Sequence, residues 1–131
     1  MASPARPLPS TTRAAVADGA VVTKAALRAA ARLGISNRTL SRVLGLSEAS
    51  ISRMGTGQYT LASPDKSFEL ALLFVRLFRA LDAVVAGDDS AARRWLDSDN
   101  ASLGGAPIQL IQSIPGLVNV LGYLDARRAI V

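Results

Sequence analysis

The residues of this chain with the most informative chemistry and spacing lie between positions 38 and 53. Arginine side chains there can bind phosphate oxygens, and an arginine can also read the edge of a guanine base. Arg38 and Arg42 are therefore expected at the phosphate backbone of DNA, and Arg53 at a base or a phosphate. Glu48 repels phosphate, so it either accepts from a cytosine amino group or stabilises a helix start. The predicted DNA-contacting set is Arg38, Arg42, Ser47, Glu48, Ser50, Ser52 and Arg53.

Residues 38–54 also have the spacing of a helix-turn-helix motif, which would position those side chains. The motif needs a small residue where its helices cross, a glycine in the turn and an aliphatic anchor on the second helix. Ser41, Gly45 and Ile51 stand at those offsets, and Ser47 is placed to cap the second helix. The exposed N-terminal residues of that helix would enter the major groove. A plain helical hairpin with solvated arginines is the alternative.

Composition argues against catalysis by this chain. It has 131 residues, a net charge of +5, and neither cysteine nor histidine. A disulfide framework and a thiolate metal site are therefore impossible, and the commonest general base is missing. Catalysis would depend on carboxylates, lysines or tyrosines, and no nucleophile or acid–base arrangement is visible among them. We expect no enzymatic activity and no cofactor.

The positive charge is concentrated in the first half of the chain. Residues 1–57 carry eight basic and two acidic side chains, whereas residues 58–131 carry seven basic and eight acidic ones. The first half is therefore expected to attract a polyanion such as DNA, although a basic surface that only aids solubility is the alternative. The longest apolar run, residues 68–86, contains four charged side chains. These charges argue against a membrane span, and we expect a cytoplasmic protein.

The hydrophobic pattern predicts an all-α chain with a disordered, proline-rich tail over residues 1–20. Thr23 is predicted to cap a first helix that ends at Leu33. The longest helix is predicted to start at Ser63-Pro64-Asp65, with the proline at its first helical position, and to stop at Gly87. Its apolar surface is wider than one small bundle needs. We therefore expect this helix to be the centre of a two-part core and to meet a second subunit as well.

Residues 95–124 combine turn and cap residues in an order that predicts a compact helical unit. A helix should end near Trp95-Leu96, and Gly104-Gly105 permits a tight turn. Pro107 should then open a short helix, and Ser113 should cap the last, amphipathic helix. An ordinary helical hairpin with a glycine turn is the alternative.

The order and spacing of these residues resemble the C-terminal toxin-binding domain of the Xre/MbcA/ParS antitoxins. The matching positions are Trp95-Leu96, Asn100, Leu103-Gly104-Gly105, Pro107, Ser113, Gly116, Val118 and Leu121. The preceding long helix is similar to the linking helix of that family, and the resemblance covers about residues 23–126. Departures occur at Ala106, at Pro115 and after Leu121, where Tyr123 to Arg127 replace the family's usual ending.

The resemblance implies an antitoxin with two functional parts, an all-α helix-turn-helix bundle joined by a long helix to a small helical domain. The first part, residues 21–87, would bind operator DNA as a homodimer and repress the chain's own operon. The second part, residues 88–131, would neutralise a cognate RES-family toxin, which degrades NAD, by covering its active site. NAD would then be the toxin's substrate. The alternative is a plain dimeric repressor whose C-terminal domain only dimerises or senses a small molecule.

The last helix and the residues after it are expected to contact the toxin. Buried apolar anchors should supply most of the binding energy, and Arg127 and Arg128 would suit a pocket shaped for pyrophosphate. Alternatively, these two arginines only stabilise a helix C-terminus. The predicted toxin-contacting set is Leu117, Leu121, Leu124, Arg127, Arg128, Ile130 and Val131.

Overall fold

A computed structural model describes residues 10–130 of the chain, and the side chains of residues 18–129. Over that range the chain is helical, apart from connections and an isolated bridge between Asn100 and Gly105. The helices are α1 (Ser10–Leu33), α2 (Asn37–Leu44), α3 (Glu48–Gly55), α4 (Lys66–Val84), α5 (Asp89–Asp97), α6 (Pro107–Leu110) and α7 (Ile114–Ile130). The prediction of an all-α fold is confirmed. None of these described helices is long and apolar enough to cross a membrane.

The first helix starts earlier than the sequence predicted. α1 begins at Ser10, so the predicted tail is wrong for residues 10–20, while the rest of that tail lies outside the described residues. Alanine-rich sequence with high helix propensity follows Ser10 and extends the helix. Thr23 is buried inside α1 and is not a cap. Its hydroxyl donates to the Gly19 carbonyl at 2.6 Å and accepts from the Leu61 amide at 3.0 Å, which holds the α3–α4 connection against α1.

α4 is the central helix of the fold, with α1, α2 and α7 packed around it. Its fully buried side chains include Phe74, Leu77 and Leu81. Removal of this apolar surface from water is the main favourable contribution to folding. The buried cluster is continuous from α1 to α7, so the N-terminal and C-terminal helices share α4 as part of one core. This arrangement agrees with the expected central position of the long helix.

The two ends of α4 differ in how well the sequence predicted them. The helix begins at Lys66, and the residue before it, Asp65, is still extended (ψ 149°). The prediction of Pro64 at the first helical position is therefore wrong, because Pro64 precedes the N-cap residue. The predicted stop is close to the observed one. Val84 ends the helix, and Gly87 follows in the left-handed conformation (φ 81°) that glycine adopts without strain.

The C-terminal helices begin at the predicted residues. Pro107 is the first residue of α6, and the Ser113 hydroxyl accepts a hydrogen bond from the Gly116 amide at 3.2 Å, which caps α7. α7 starts so close to α6 that a Cβ atom on Gly116 would collide with the Leu110 carbonyl. A glycine is therefore required at this position by close backbone packing.

A charged cluster ties the end of α1 to α4 and α5. Arg32 donates to Asp89 Oδ1 and to Asp82 Oδ1, each at 2.8 Å, and its guanidinium lies 4.8 Å from the centre of the Phe78 ring. The hydrogen bond from Arg32 is the main reason that the pKa of Asp89 lies below its ordinary value. Arg93 donates to backbone carbonyls at the end of α1, including that of Arg32 at 3.0 Å. These bonds orient α5 relative to α1.

Candidate functional site

α2 and α3 form a compact helix-turn-helix unit whose turn is centred on Gly45. This glycine is left-handed (φ 68°), and its amide closes the end of α2 on the Ser41 carbonyl. Ser41 is buried, and its hydroxyl donates to the Arg38 carbonyl at 2.6 Å. Because serine is small, its side chain leaves room for the two helices to cross. Ile51 is buried in the same core and anchors α3. The predicted helices and turn are confirmed.

The first turns of α3 present an exposed polar surface. The Ser47 hydroxyl caps the helix by accepting from the Ser50 amide at 3.1 Å, and it lies 3.0 Å from the Ser50 hydroxyl. These two hydroxyls are therefore engaged with each other. Glu48, Ser52 and Arg53 are exposed. The five members of the predicted DNA-contacting set from Ser47 to Arg53 are thus brought together on one short helix and its N-cap, and all of them except Ser50 are exposed.

The two arginines of α2 have different surroundings. Arg38 is exposed in the first turn of the helix. Arg42 is exposed as well, but it donates to Gln112 Oε1 at 3.4 Å, in the connection between α6 and α7. Together with Lys66, Arg42 also lines a surface cavity of about 260 Å³ between α2, α4 and the start of α7. The structure associates Arg42 with the C-terminal helices, and its contact with DNA phosphate stays a prediction.

α7 turns one apolar side to the core and another to solvent. Leu117, Leu121 and Leu124 are 0, 5 and 1% exposed and pack in the core beside α4. These side chains fill the chain's own interior, and their contact with the toxin stays a prediction. Ile114 and Val118 point outward instead, and they are 43 and 49% exposed.

Gly122 continues the outward side of α7 one turn after Val118. It is exposed inside the helix, and a Cβ atom there would meet no atom within 4 Å in the described chain. A glycine inside a helix is less favourable than alanine by about 1 kcal/mol. No packing within the described chain offsets that cost. An otherwise unfavourable glycine inside a helix is therefore the feature of the sequence that could have indicated this surface. We call Ile114, Val118 and Gly122 the α7 outer face.

An aromatic cluster fixes the second half of α7 against α5. The rings of Trp95 and Tyr123 are stacked with their centroids 6.1 Å apart. Arg127 donates to the Tyr123 hydroxyl at 3.1 Å, and its guanidinium lies 5.7 Å from the centre of the same ring. Cation–π contact and this hydrogen bond together orient Arg127 along the exposed end of the helix.

The remaining members of the predicted toxin-contacting set stand at the end of the chain. Arg128 is exposed in the last turn of α7, where a cation interacts favourably with the helix dipole. Ile130 and Val131 lie outside the described side chains. Both interpretations of the C-terminal arginines, toxin contact and helix stabilisation, are compatible with their positions.

Two family models match the chain, and they meet inside α4. The model described as the antitoxin Xre-like helix-turn-helix domain matches residues 12–76. The model described as the antitoxin Xre/MbcA/ParS C-terminal toxin-binding domain matches residues 80–129. No curated protein sequence matches the chain. The two family matches leave only residues 77–79 and the chain ends uncovered, and they divide the chain within the helix that both halves share.

Proposed function

The chain belongs to the Xre/MbcA/ParS antitoxins, and from that premise we propose that it neutralises one toxin and represses its own operon. The proposal depends on one observation above all, that the family models of an antitoxin helix-turn-helix domain and of a toxin-binding domain together match almost the whole chain. The proposed toxin is a RES-family protein that degrades NAD. NAD is then the toxin's substrate, and the antitoxin acts in the cytoplasm as a binding protein rather than an enzyme.

DNA binding is proposed at the exposed side of α3, whose first turns would enter the major groove. The exposure of Arg53 supports this, as does the excess of positive charge over residues 1–57. Arg38 would contact a phosphate beside the groove. A homodimer would present two copies of α3 to a palindromic operator with half-sites about one or two helical turns apart.

Toxin binding is proposed at the α7 outer face and at the end of the same helix. Ile114 and Val118 offer apolar surface for a partner, and Gly122 permits close approach of a partner's backbone. Arg127 and Arg128 follow at the C-terminal end and would suit an active site shaped for the pyrophosphate of NAD. These residues are accessible, in contrast to the inward leucines of α7.

Co-expression with the toxin encoded beside this chain tests the proposal. We expect the toxin alone to arrest growth and deplete NAD, and the full-length chain to reverse both effects. Val118→Asp should abolish this protection, because it places a charge in the proposed interface. Ala101→Asp adds the same charge to an exposed loop and should protect as well as the wild type.

The same experiment separates the antitoxin from the plain dimeric repressor. A folded chain that binds its operator but leaves growth arrest and NAD loss unchanged acts only as a repressor. Protection that survives Val118→Asp would instead keep the antitoxin function and move the toxin surface away from the α7 outer face.

A further inference from the structure

An apolar groove of about 450 Å³ lies between α1 and α4 and is used by neither proposed activity. Its aliphatic walls are formed by Val21, Val22, Ala25, Leu72, Leu73 and Val75. Val21 is 66% exposed and Leu72 is 40% exposed, so large apolar side chains are open to water here. Contiguous exposed apolar surface of this kind marks an interaction site more often than isolated side chains do.

The charged side chains beside the groove follow a fixed order along α4. Residues three, four and seven positions apart share one face of a helix. This face, with the N-cap residue included, reads Asp65, Glu69, Leu72, Arg76 and Arg79. Its N-terminal end is acidic, its C-terminal end is basic, and a leucine stands in the middle. The salt bridges formed within the described residues involve neither Glu69 nor Arg79.

We propose that a second copy of this chain docks in the groove, with the two α4 helices antiparallel and a two-fold axis at Leu72. Glu69 of each copy then faces Arg76 of the other, and Asp65 of each copy faces Arg79 of the other. A two-fold contact is self-complementary in this way, because the same pair of residues meets twice. The inference rests on the homodimer of the proposed function and specifies its surface.

The order of charges selects this arrangement among the possible ones. Two parallel α4 helices in register would place acidic ends together and basic ends together, and like charges across an interface are strongly unfavourable. Arg76 is available for the contact. It lies 3.7 Å from the Asp125 carboxylate, but its side chain is 61% exposed, and an exposed pair of this kind holds the arginine weakly. Docking would also cover Val21 and Leu72, whose burial favours association.

Charge reversal of the full-length chain tests the proposal by sedimentation equilibrium. The wild type should be a dimer. Glu69→Arg and Arg76→Glu should each weaken self-association by about tenfold or more, since each creates two repulsive pairs per dimer. An equimolar mixture of these two variants should form a heterodimer, because every arginine then meets a glutamate.

Matched controls place the same charge changes elsewhere on the surface. Glu48→Arg and Arg94→Glu alter exposed residues of α3 and α5, and they should leave the dimer intact. Circular dichroism checks that each variant is folded. Leu72→Asp places two like charges at the two-fold axis. When it is added to both charge-reversal variants, they should therefore remain monomeric even after they are mixed.

Three results would overturn the proposal. They are a monomeric wild type, a dimer that neither single reversal weakens, and single variants that remain monomeric when mixed. If the reversals instead abolish toxin protection without changing the mass of the free chain, the groove binds the toxin and not a second copy. Toxin protection is measured separately, so loss of this dimer surface leaves the antitoxin proposal standing.

Discussion

The two glycines of α7 should respond in opposite ways to the same substitution. Alanine at Gly122 places its methyl group in open space and removes the penalty of glycine inside a helix. The free energy of unfolding should therefore rise by about 1 kcal/mol. Alanine at Gly116 places the same methyl group against the Leu110 carbonyl. Because backbone must move to admit it, this variant should lose about 1–3 kcal/mol.

Thermal unfolding followed by circular dichroism measures the difference between the two variants. A change of 1 kcal/mol shifts the unfolding midpoint of a chain of this size by about 4 °C. Gly122→Ala should unfold above the wild type and Gly116→Ala below it. Equal midpoints for the two variants would refute the packing argument at the start of α7.

A larger side chain at Gly122 separates stability from toxin recognition. Gly122→Leu should remain folded, because the position is open, but it should weaken toxin binding by about tenfold or more, equivalent to about 1.4 kcal/mol. Gly55 is also in open space, at the end of α3, so Gly55→Leu is a control that should leave toxin binding unchanged. If Gly122→Leu binds the toxin as tightly as the wild type does, no partner approaches the α7 outer face.

Three further predictions concern DNA, the end of the chain and pH. Arg53→Ala should weaken operator binding by about 1–3 kcal/mol in fluorescence anisotropy, whereas Arg38→Ala should weaken all DNA equally and reduce the salt dependence. Unchanged DNA affinities in these variants would show that the two arginines do not contact DNA. Deletion of residues 127–131 should leave a toxin complex that forms but no longer fully inhibits NAD turnover, and complete inhibition would restrict the C-terminal arginines to helix stabilisation. Because the pKa of Asp89 is lowered in the folded chain, the ionised side chain stabilises the fold at pH values above its ordinary pKa of 3.8. This stabilisation is lost as the pH falls through the lower pKa of the folded chain. Asp89→Asn should therefore lose less stability on acidification than the wild type does, and identical acid unfolding curves would contradict the importance of the bond from Arg32.

The sequence predicted helix starts and turns well where one residue acts on its near neighbours. Ser47 and Ser113 both cap the predicted helices, and Gly45 occupies the left-handed turn. Such signals are readable because a cap or turn involves groups within about four residues. The start of α1 was missed because alanine-rich sequence carries no stop signal, and Thr23 has the residue type of a cap while its partners belong to tertiary packing.

Sequence reasoning failed where contacts between distant residues decide the outcome. The adjacent residues Leu117 and Val118 are both aliphatic, yet one is fully buried and the other is half exposed. Packing against α4 makes this choice, and apolar periodicity alone does not determine it when both sides of a helix are apolar. The cluster around Arg32 was missed for the same reason, since Asp82 and Asp89 follow it by 50 and 57 positions.

The shared position of α4 determines which substitutions can locate the toxin surface. Leu121 packs in the same core as the helices that hold the helix-turn-helix unit. Leu121→Ala would cost about 2–5 kcal/mol by leaving a cavity, and it would weaken toxin and DNA binding together through the fold. Loss of toxin binding in that variant would therefore not identify a contact. Val118→Asp changes an exposed neighbour, so a loss confined to toxin binding, with operator affinity retained, assigns the surface directly.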